Sequence, residues 1–433
     1  MRDRGPKPPV SSLNLNIRGM GHSATVAINE RSDQLRREGR TVHKLGLGQS
    51  PFPVPDRVVE SLRQHAHVKD YLPVAGLREL RDSVAAYTAR TAGVTRRGDD
   101  VLVGPGSKEL MFLLQLVYYG DLVIPTPAWV SYAPQARILG RTVRFMPTRR
   151  EDQWMLTPEA FEALCQEDPE RPRVVILNYP SNPTGATFTV AQLEELAAVA
   201  RKYRTVLLSD EIYGELHHQG QHVSIASYYP EGTIVSSGLS KWCGAGGWRL
   251  GTFVFPPELS WLREGMAAAA SETYTSTSAP IQHAAVTAFD GGEDLADYLA
   301  RSRRVLHALG HWAHGRLAAA DIHCPEPAGG FYLFLDFEAH RGALGDRGIA
   351  DAAGLCEALL EEAGVAILPG DHFGCGNREL TARLAYVDFD GAAALAHAGE
   401  DALLDDAWLG AHCANVVDAV ERVCAFTAGS GGS

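Results

Sequence analysis

The stretch VSSGLSKWCGAGGWRLG, residues 235–251, decides how this chain is read. A single lysine, Lys241, stands among small residues: Ser236, Ser237, Gly238 and Ser240. The apolar, β-like run Gly232-Thr-Ile-Val leads into it, and Arg249 follows eight positions after the lysine. A lysine held in a small-residue turn beside a fixed cation loses its proton readily and acts as a nucleophile toward an aldehyde. The arginine suits a phosphate. A surface turn with a solvated Lys and Arg would give the same letters, so the rest of the chain has to decide.

Moving upstream, four more apolar runs each end in polar residues. Residues 205–209 (TVLLS) lead to Asp210-Glu-Ile-Tyr213, and residues 173–177 (RVVIL) lead to Asn178-Tyr-Pro-Ser-Asn182-Pro-Thr-Gly. Residues 122–125 lead to Thr126-Pro-Ala-Trp129-Val-Ser-Tyr. Residues 101–103 lead to Gly104-Pro-Gly106-Ser107-Lys108 at the start of a helical pattern reaching about 119. Continuous apolar strands alternating with helices, including 77–91 and 190–203, predict a mostly parallel sheet covered on both faces. Ligands bind such sheets just past the strands' C-terminal ends, where these polar residues gather. The turn that opens the helix at 107 also aims free backbone N–H groups at an anion.

Downstream the pattern turns helical at 261–270, 280–289 and 295–319. A strand at 329–337, a helix at 351–363, strands at 365–368 and 382–387 and C-terminal helices predict a smaller α+β unit. At the other end, residues 1–22 read as an arm. Residues 25–40 read as an exposed amphipathic helix, and 44–53 as a Gly/Pro loop where Gly48 lets a ligand approach the backbone closely. Residues 429–433 read as a flexible tail. No internal repeat is found.

At 433 residues the chain is too long for one ordinary core, so two domains are expected. A formal net charge of −12 argues against binding a phosphate backbone, so no nucleic-acid partner is expected. Seven cysteines without a C-x-x-C point to a reducing compartment rather than a disulfide framework. The N-terminus lacks an apolar signal region and no run is long enough to span a membrane, so the cytoplasm is expected. His217, His218 and His222 invite a metal reading, but without a nearby partner cluster they read as a solvated loop and no metal is expected.

With its segments laid out, the chain resembles the class I aminotransferases among the fold-type I pyridoxal-phosphate enzymes, in the aspartate aminotransferase-like branch. The resemblance runs from about 23 to 387. Its anchors are HSATVAINE at 22–30, LGLGQSPF at 45–52, YLPVAGLREL at 71–80, GPGSKEL at 104–110 and TPAWVSY at 126–132. They continue with NYPSNPTG at 178–185, SDEIYGEL at 209–216, SKWCGAGGWRLG at 240–251, PAGGFYLF at 327–334, LPGDHFG at 368–374 and ARLAYVDF at 382–389.

The resemblance implies an α/β fold: a large domain with a mostly parallel, seven-stranded-type sheet between helices, plus a smaller α+β domain. The boundaries it suggests are 1–60 for the arm and part of the small domain, 61–320 for the large domain, 321–428 for the small domain and 429–433 for the tail. It implies pyridoxal phosphate as cofactor, Lys241 as the residue that carries it and moves the proton, and Asp210 as the partner of the ring nitrogen. Tyr213 and Asn182 are implied at the ring's phenolic oxygen, and Trp129 on the ring face. Arg249, Ser240 and the Gly106-Ser107-Lys108 turn are implied at the phosphate, together with Tyr71 from a neighbouring subunit, hence a homodimer. Arg383 and the Gly48 backbone are implied at the substrate α-carboxylate, and Lys108 at the distal carboxylate of a dicarboxylic substrate.

The expected activity is ping-pong transfer of an amino group from an L-amino acid, aspartate or glutamate favoured, to a 2-oxo acid. The alternatives are an aminotransferase for aromatic or neutral amino acids, or a lyase or decarboxylase on the same fold. Three departures stand out. Gly238 occupies a position where the family usually has a phosphate-holding serine, so that Ser237 or Ser240 substitutes or one phosphate bond is missing. The usual G-E-P-D-F loop is Gly48-Gln-Ser-Pro-Phe52 here. The segment 395–411 is longer than the family's usual run.

Overall fold

The computed structural model describes residues 13–20 and 24–429. Most of the expected arm, and positions 430–433 of the expected tail, lie outside the described residues.

Among the described residues, twelve strands follow in order: β1 (His43–Lys44), β2 (Val101–Gly104), β3 (Asp121–Thr126), β4 (Val143–Pro147), β5 (Arg173–Asn178) and β6 (Val206–Asp210). Then come β7 (Thr233–Gly238), β8 (Gly251–Val254), β9 (Tyr332–Asp336), β10 (Val365–Ala366), β11 (Leu368–Pro369) and β12 (Thr381–Ala385). The large sheet has seven strands in the order β2-β8-β7-β6-β5-β3-β4. Its pairings from β7 through β4 are parallel, while β8 runs antiparallel to both β7 and β2.

Both faces of this sheet are covered, so its strands carry apolar residues at consecutive positions. In β6, Val206 and Leu208 pack with Leu110, Leu114 and Met266 from the helices Ser107–Val117 and Ser260–Ser271. Leu207 between them points the other way, into a cluster with Phe161 and Leu196 from the helices Pro158–Glu167 and Val190–Lys202. That alternation is the two-residue period of a strand. β4 escaped the sequence reading because it is the sheet's edge: its residues are mostly half-buried or exposed, so no apolar run marks it.

The smaller unit holds a three-stranded antiparallel sheet, β11-β12-β9, and a parallel pair, β1-β10. The single strand read at 365–368 is therefore two short strands in two sheets, divided at Ile367. The helix expected at 25–40 spans Ala24–Arg37, and it is not simply exposed. Leu35 is buried with Val42, Leu360 and Ala366, because a helix with few apolar positions still docks through the one stripe it has. The segment 395–411 takes in the end of the helix Gly391–His397, a loop fastened to the helix Glu293–Ala319, and most of the helix Asp406–His412. Arg304 of that long helix donates to the carbonyls of Ala398, Gly399 and Ala402.

Candidate active site

The C-terminal ends of β3, β5, β6 and β7 open into a cavity of about 380 Å³. Its walls include Gly48, Ser107, Lys108, Trp129, Asn182 and Asp210. They also include Tyr213, Ser240, Lys241, Arg249 and Arg383. The structure thus brings together residues more than three hundred positions apart in sequence. Tyr71 does not join them: it is 88% exposed and lies outside this cavity's lining.

Lys241 follows β7 at the floor. Its Nζ donates to the Gly48 carbonyl at 2.7 Å and lies 5.7 Å from the centre of the Tyr213 ring. Burial lowers its pKa to about 8, with Arg383 and Arg249 pushing the same way and Asp210 opposing. Loss of solvent penalises an ammonium, and fixed guanidinium charges add to the penalty. The lysine is thereby brought close to releasing its proton near neutral pH.

Asp210 ends β6 and is buried. Its Oδ2 accepts from the Tyr132 hydroxyl at 2.5 Å, and its Oδ1 accepts from Ser236 at 3.4 Å. Burial raises its pKa to about 6, while the bonds from Tyr132, the Ile212 backbone and Ser236 hold it down. A carboxylate in this position lacks a full counter-charge and favours a cationic partner.

Arg383, from β12, is 1% exposed. It donates to Asn182 Oδ1 at 2.9 Å and to the Gly46 carbonyl at 2.6 Å, and its guanidinium lies over the Tyr332 ring at 4.7 Å. Its buried Nε has no partner among the described residues. A buried guanidinium with a donor to spare is suited to a carboxylate ligand. Tyr213 shares a hydrogen bond of 2.8 Å with Tyr332, hydroxyl to hydroxyl. Gly48 belongs here for lack of room: a Cβ on it would lie 1.9 Å from the Tyr332 hydroxyl.

At the other end, Gly106 caps the helix Ser107–Val117 with φ +91°. A Cβ there would sit 2.3 Å from Arg249 Nη2, so only glycine lets the guanidinium close against the helix start. Lys108 holds its ammonium 5.5 Å from the Trp129 ring centre, with its pKa lowered by desolvation and then by Arg249. Two cations and the free N–H groups of a helix start make an anion cradle.

Strand alternation separates the two serines that flank Gly238. Ser236 faces Asp210, so Ser237 faces the opposite side of the sheet, where it lines a separate cavity with Glu211, Glu215 and Arg303. Ser240 lines the main cavity. Gly238 itself could not carry a side chain unchanged: a Cβ would meet the Leu250 carbonyl at 2.7 Å.

The histidines are not the solvated loop the sequence suggested. His218 is buried and bonded to the Gly330 carbonyl at 3.1 Å, and His222 pairs with Glu211 at 3.0 Å. The segment at 329–330 bridges to His217 and meets His218, and desolvation lowers the pKa of both His217 and His218 to about 4. Among the described residues no cluster suits a metal ion. Tyr132 and Tyr332 are among the lining residues that carried no role in the sequence reading. Tyr132 had a signal: it follows Trp129 by three in the same loop, and the two rings meet edge-on at 5.2 Å. Tyr332 sits in an apolar run and gave none.

The donor set fits pyridoxal phosphate. It offers an amine for the aldehyde, an anion cradle for the phosphate and a buried carboxylate for the ring nitrogen. The model for aminotransferase class I and II matches residues 40–391. An aspartate aminotransferase from Geobacillus stearothermophilus is 32% identical over 375 residues, covering 84% of this chain and 91% of that protein. An asparagine–oxo-acid transaminase from Streptococcus mutans is 30% identical over 376 residues, covering 84% and 93%. The solved aspartate aminotransferase of Thermus thermophilus with maleate superposes with a TM-score of 0.81 at 28% identity, covering 96% of this chain and 99% of that one.

Proposed function

The chain belongs to the class I and II aminotransferases, a pyridoxal-phosphate-dependent family acting on amino acids and 2-oxo acids, and on that premise we propose that its amino donor is aspartate or glutamate. The observation that carries this reading is one cavity with cations at separate stations. Buried Arg383 is suited to the α-carboxylate, and Lys108, over Trp129, to a second carboxylate. The names of the relatives, aspartate aminotransferase and asparagine–oxo-acid transaminase, support the same donor class. They favour transamination over lyase or decarboxylase chemistry.

When bound, the cofactor supplies an aldehyde and an electron-withdrawing ring that makes the substrate Cα proton acidic. With the cofactor bound, Lys241 Nζ, whose pKa burial lowers to about 8, would take that proton from the substrate Cα and hold it for return. Asp210 holds the ring nitrogen's proton. Tyr213 and Asn182 would hold the phenolic oxygen, and Trp129 would cover the ring. Arg249, Ser240 and the backbone of Gly106, Ser107 and Lys108 hold the phosphate. Arg383 and the Gly48 backbone fix the α-carboxylate so that Cα faces Lys241.

Tyr71 reaches the phosphate of a neighbouring copy in a homodimer, a reading supported by its exposure and its place outside its own cavity. Residues 61–320 form the large domain. Residues 321–428 form the small one, to which the first 60 residues lend β1. All seven cysteines are free, which supports a reducing, cytoplasmic setting.

The test adds aspartate, glutamate, phenylalanine and alanine in turn to the wild-type holoenzyme and to Lys108→Ala, and follows conversion of the bound aldehyde form to the amine form. Loss confined to aspartate and glutamate in the variant supports the reading. A wild type that prefers phenylalanine or alanine refutes it.

A further inference from the structure

Asp210 is held from several sides, and one of its partners has no role so far. Tyr132 opens the helix Tyr132–Ile138 and is fully buried. Its ring meets the edge of Trp129, and its hydroxyl donates to Asp210 Oδ2 at 2.5 Å. The helix it starts is itself anchored, with Gln135 Nε2 donating to the Lys108 carbonyl at 2.7 Å. One short element thus ties together the carboxylate, the indole and the start of the helix at the anion cradle.

The other groups around Asp210 do less to fix it. Ser236, from β7, reaches Oδ1 over a long 3.4 Å, and the Ile212 backbone N–H adds a second donor. Asn178, from β5, bonds only the Asp210 main-chain carbonyl, at 2.9 Å. Of the remaining titratable neighbours, Lys241 attracts the carboxylate, while Glu211 and Tyr213 act on it only through charge.

We propose that Tyr132 is a positioning residue of the transamination site, its phenol keeping the Asp210 carboxylate ionised and turned so that Oδ1 is left for the cofactor's ring nitrogen. A buried carboxylate ionises only where donors replace the water it has lost. Tyr132 supplies the shortest such bond, and burial raises the phenol's own pKa well above its usual value, so the proton stays on the tyrosine. The inference rests on reading Asp210 as the ring nitrogen's partner.

The test uses Tyr132→Phe, Asp210→Asn and the double variant. In cofactor-free protein, the Asp210 carboxylic-acid band is identified in the infrared as the band lost in Asp210→Asn. Removing a donor to the charged form moves its titration up in Tyr132→Phe by about one to two pH units. Replacing Tyr132 with 3-fluorotyrosine, a more acidic donor of nearly the same shape, moves it down. In the loaded enzyme, Tyr132→Phe shifts the pH at which the visible band titrates and weakens cofactor affinity about tenfold or more. Both effects vanish in the Asp210→Asn background. An infrared band that titrates unchanged in Tyr132→Phe and in the fluorinated protein overturns the proposal. A shifted infrared band with unchanged cofactor titration and affinity overturns the Asp210 reading instead, and the proposal falls with it.

Discussion

Asp210→Asn in the cofactor-free protein makes a demanding case, because the account predicts that removing this charge stabilises the fold. In the folded protein the Asp210 pKa is raised from 3.8 to about 6. The folded state therefore binds this proton more tightly than the unfolded chain does. Below the unfolded value both states are protonated and the site costs nothing. As pH rises from about 4 to 6, ionisation favours the unfolded chain and stability falls. At 1.36 kcal/mol per unit, a shift of about two units costs about 3 kcal/mol above pH 6.

Asparagine keeps the shape without the charge, so the penalty disappears. Any fixed cost of swapping the carboxyl for an amide is the same at both pH values and cancels in the comparison. The assay is urea unfolding of cofactor-free wild type and Asp210→Asn at about pH 4.5 and 7.5. The stability difference, variant minus wild type, is expected to rise by about 2 kcal/mol between those two values. Adding pyridoxal phosphate is expected to stabilise wild type more than the variant, because only wild type gains a counter-charge for a buried anion. A difference that stays constant with pH, or wild type gaining on the variant as pH rises, refutes the reasoning.

Reconstitution of cofactor-free enzyme with pyridoxal phosphate is expected to speed up as pH rises through about 8, because neutral Lys241 is the nucleophile; stopped-flow absorbance reads the rate. Arg383→Lys keeps the charge but loses the fork shared by Asn182 and the α-carboxylate, so KM for every donor is expected to rise by the equivalent of about 1.5–3 kcal/mol in steady-state assays. Gly238→Ser, which restores the serine usual in the family, is expected to destabilise the protein by about 1–3 kcal/mol without tightening cofactor binding. The added Cβ meets the Leu250 carbonyl, and equilibrium unfolding and cofactor titration check the two halves.

The sheet was legible because its strands are buried on both faces and so spell continuous apolar runs, each followed by the polar residues of the site. Asp210, Asn182 and Lys241 could be placed for that reason. The edge strand β4, the short β8 and the division at Ile367 were not read: β4 is half-exposed, β8 is four residues opening on Gly-Thr, and two-residue strands leave no run. His217, His218 and His222 read as solvated for want of a partner cluster, whereas the distant segment at 329–330 meets His217 and His218, which no local pattern encodes. Tyr332 is hidden for a related reason. Its place under Arg383 and against Gly48 depends on β9, β12 and the 44–53 loop meeting in space.

Whether Lys241 carries the cofactor is tested by reducing the holoenzyme with borohydride and mapping the label by mass spectrometry. The account predicts a reduced pyridoxyl adduct on Lys241 in wild type and none in Lys241→Ala. An adduct on another lysine in wild type, or one that persists in Lys241→Ala, would contradict it.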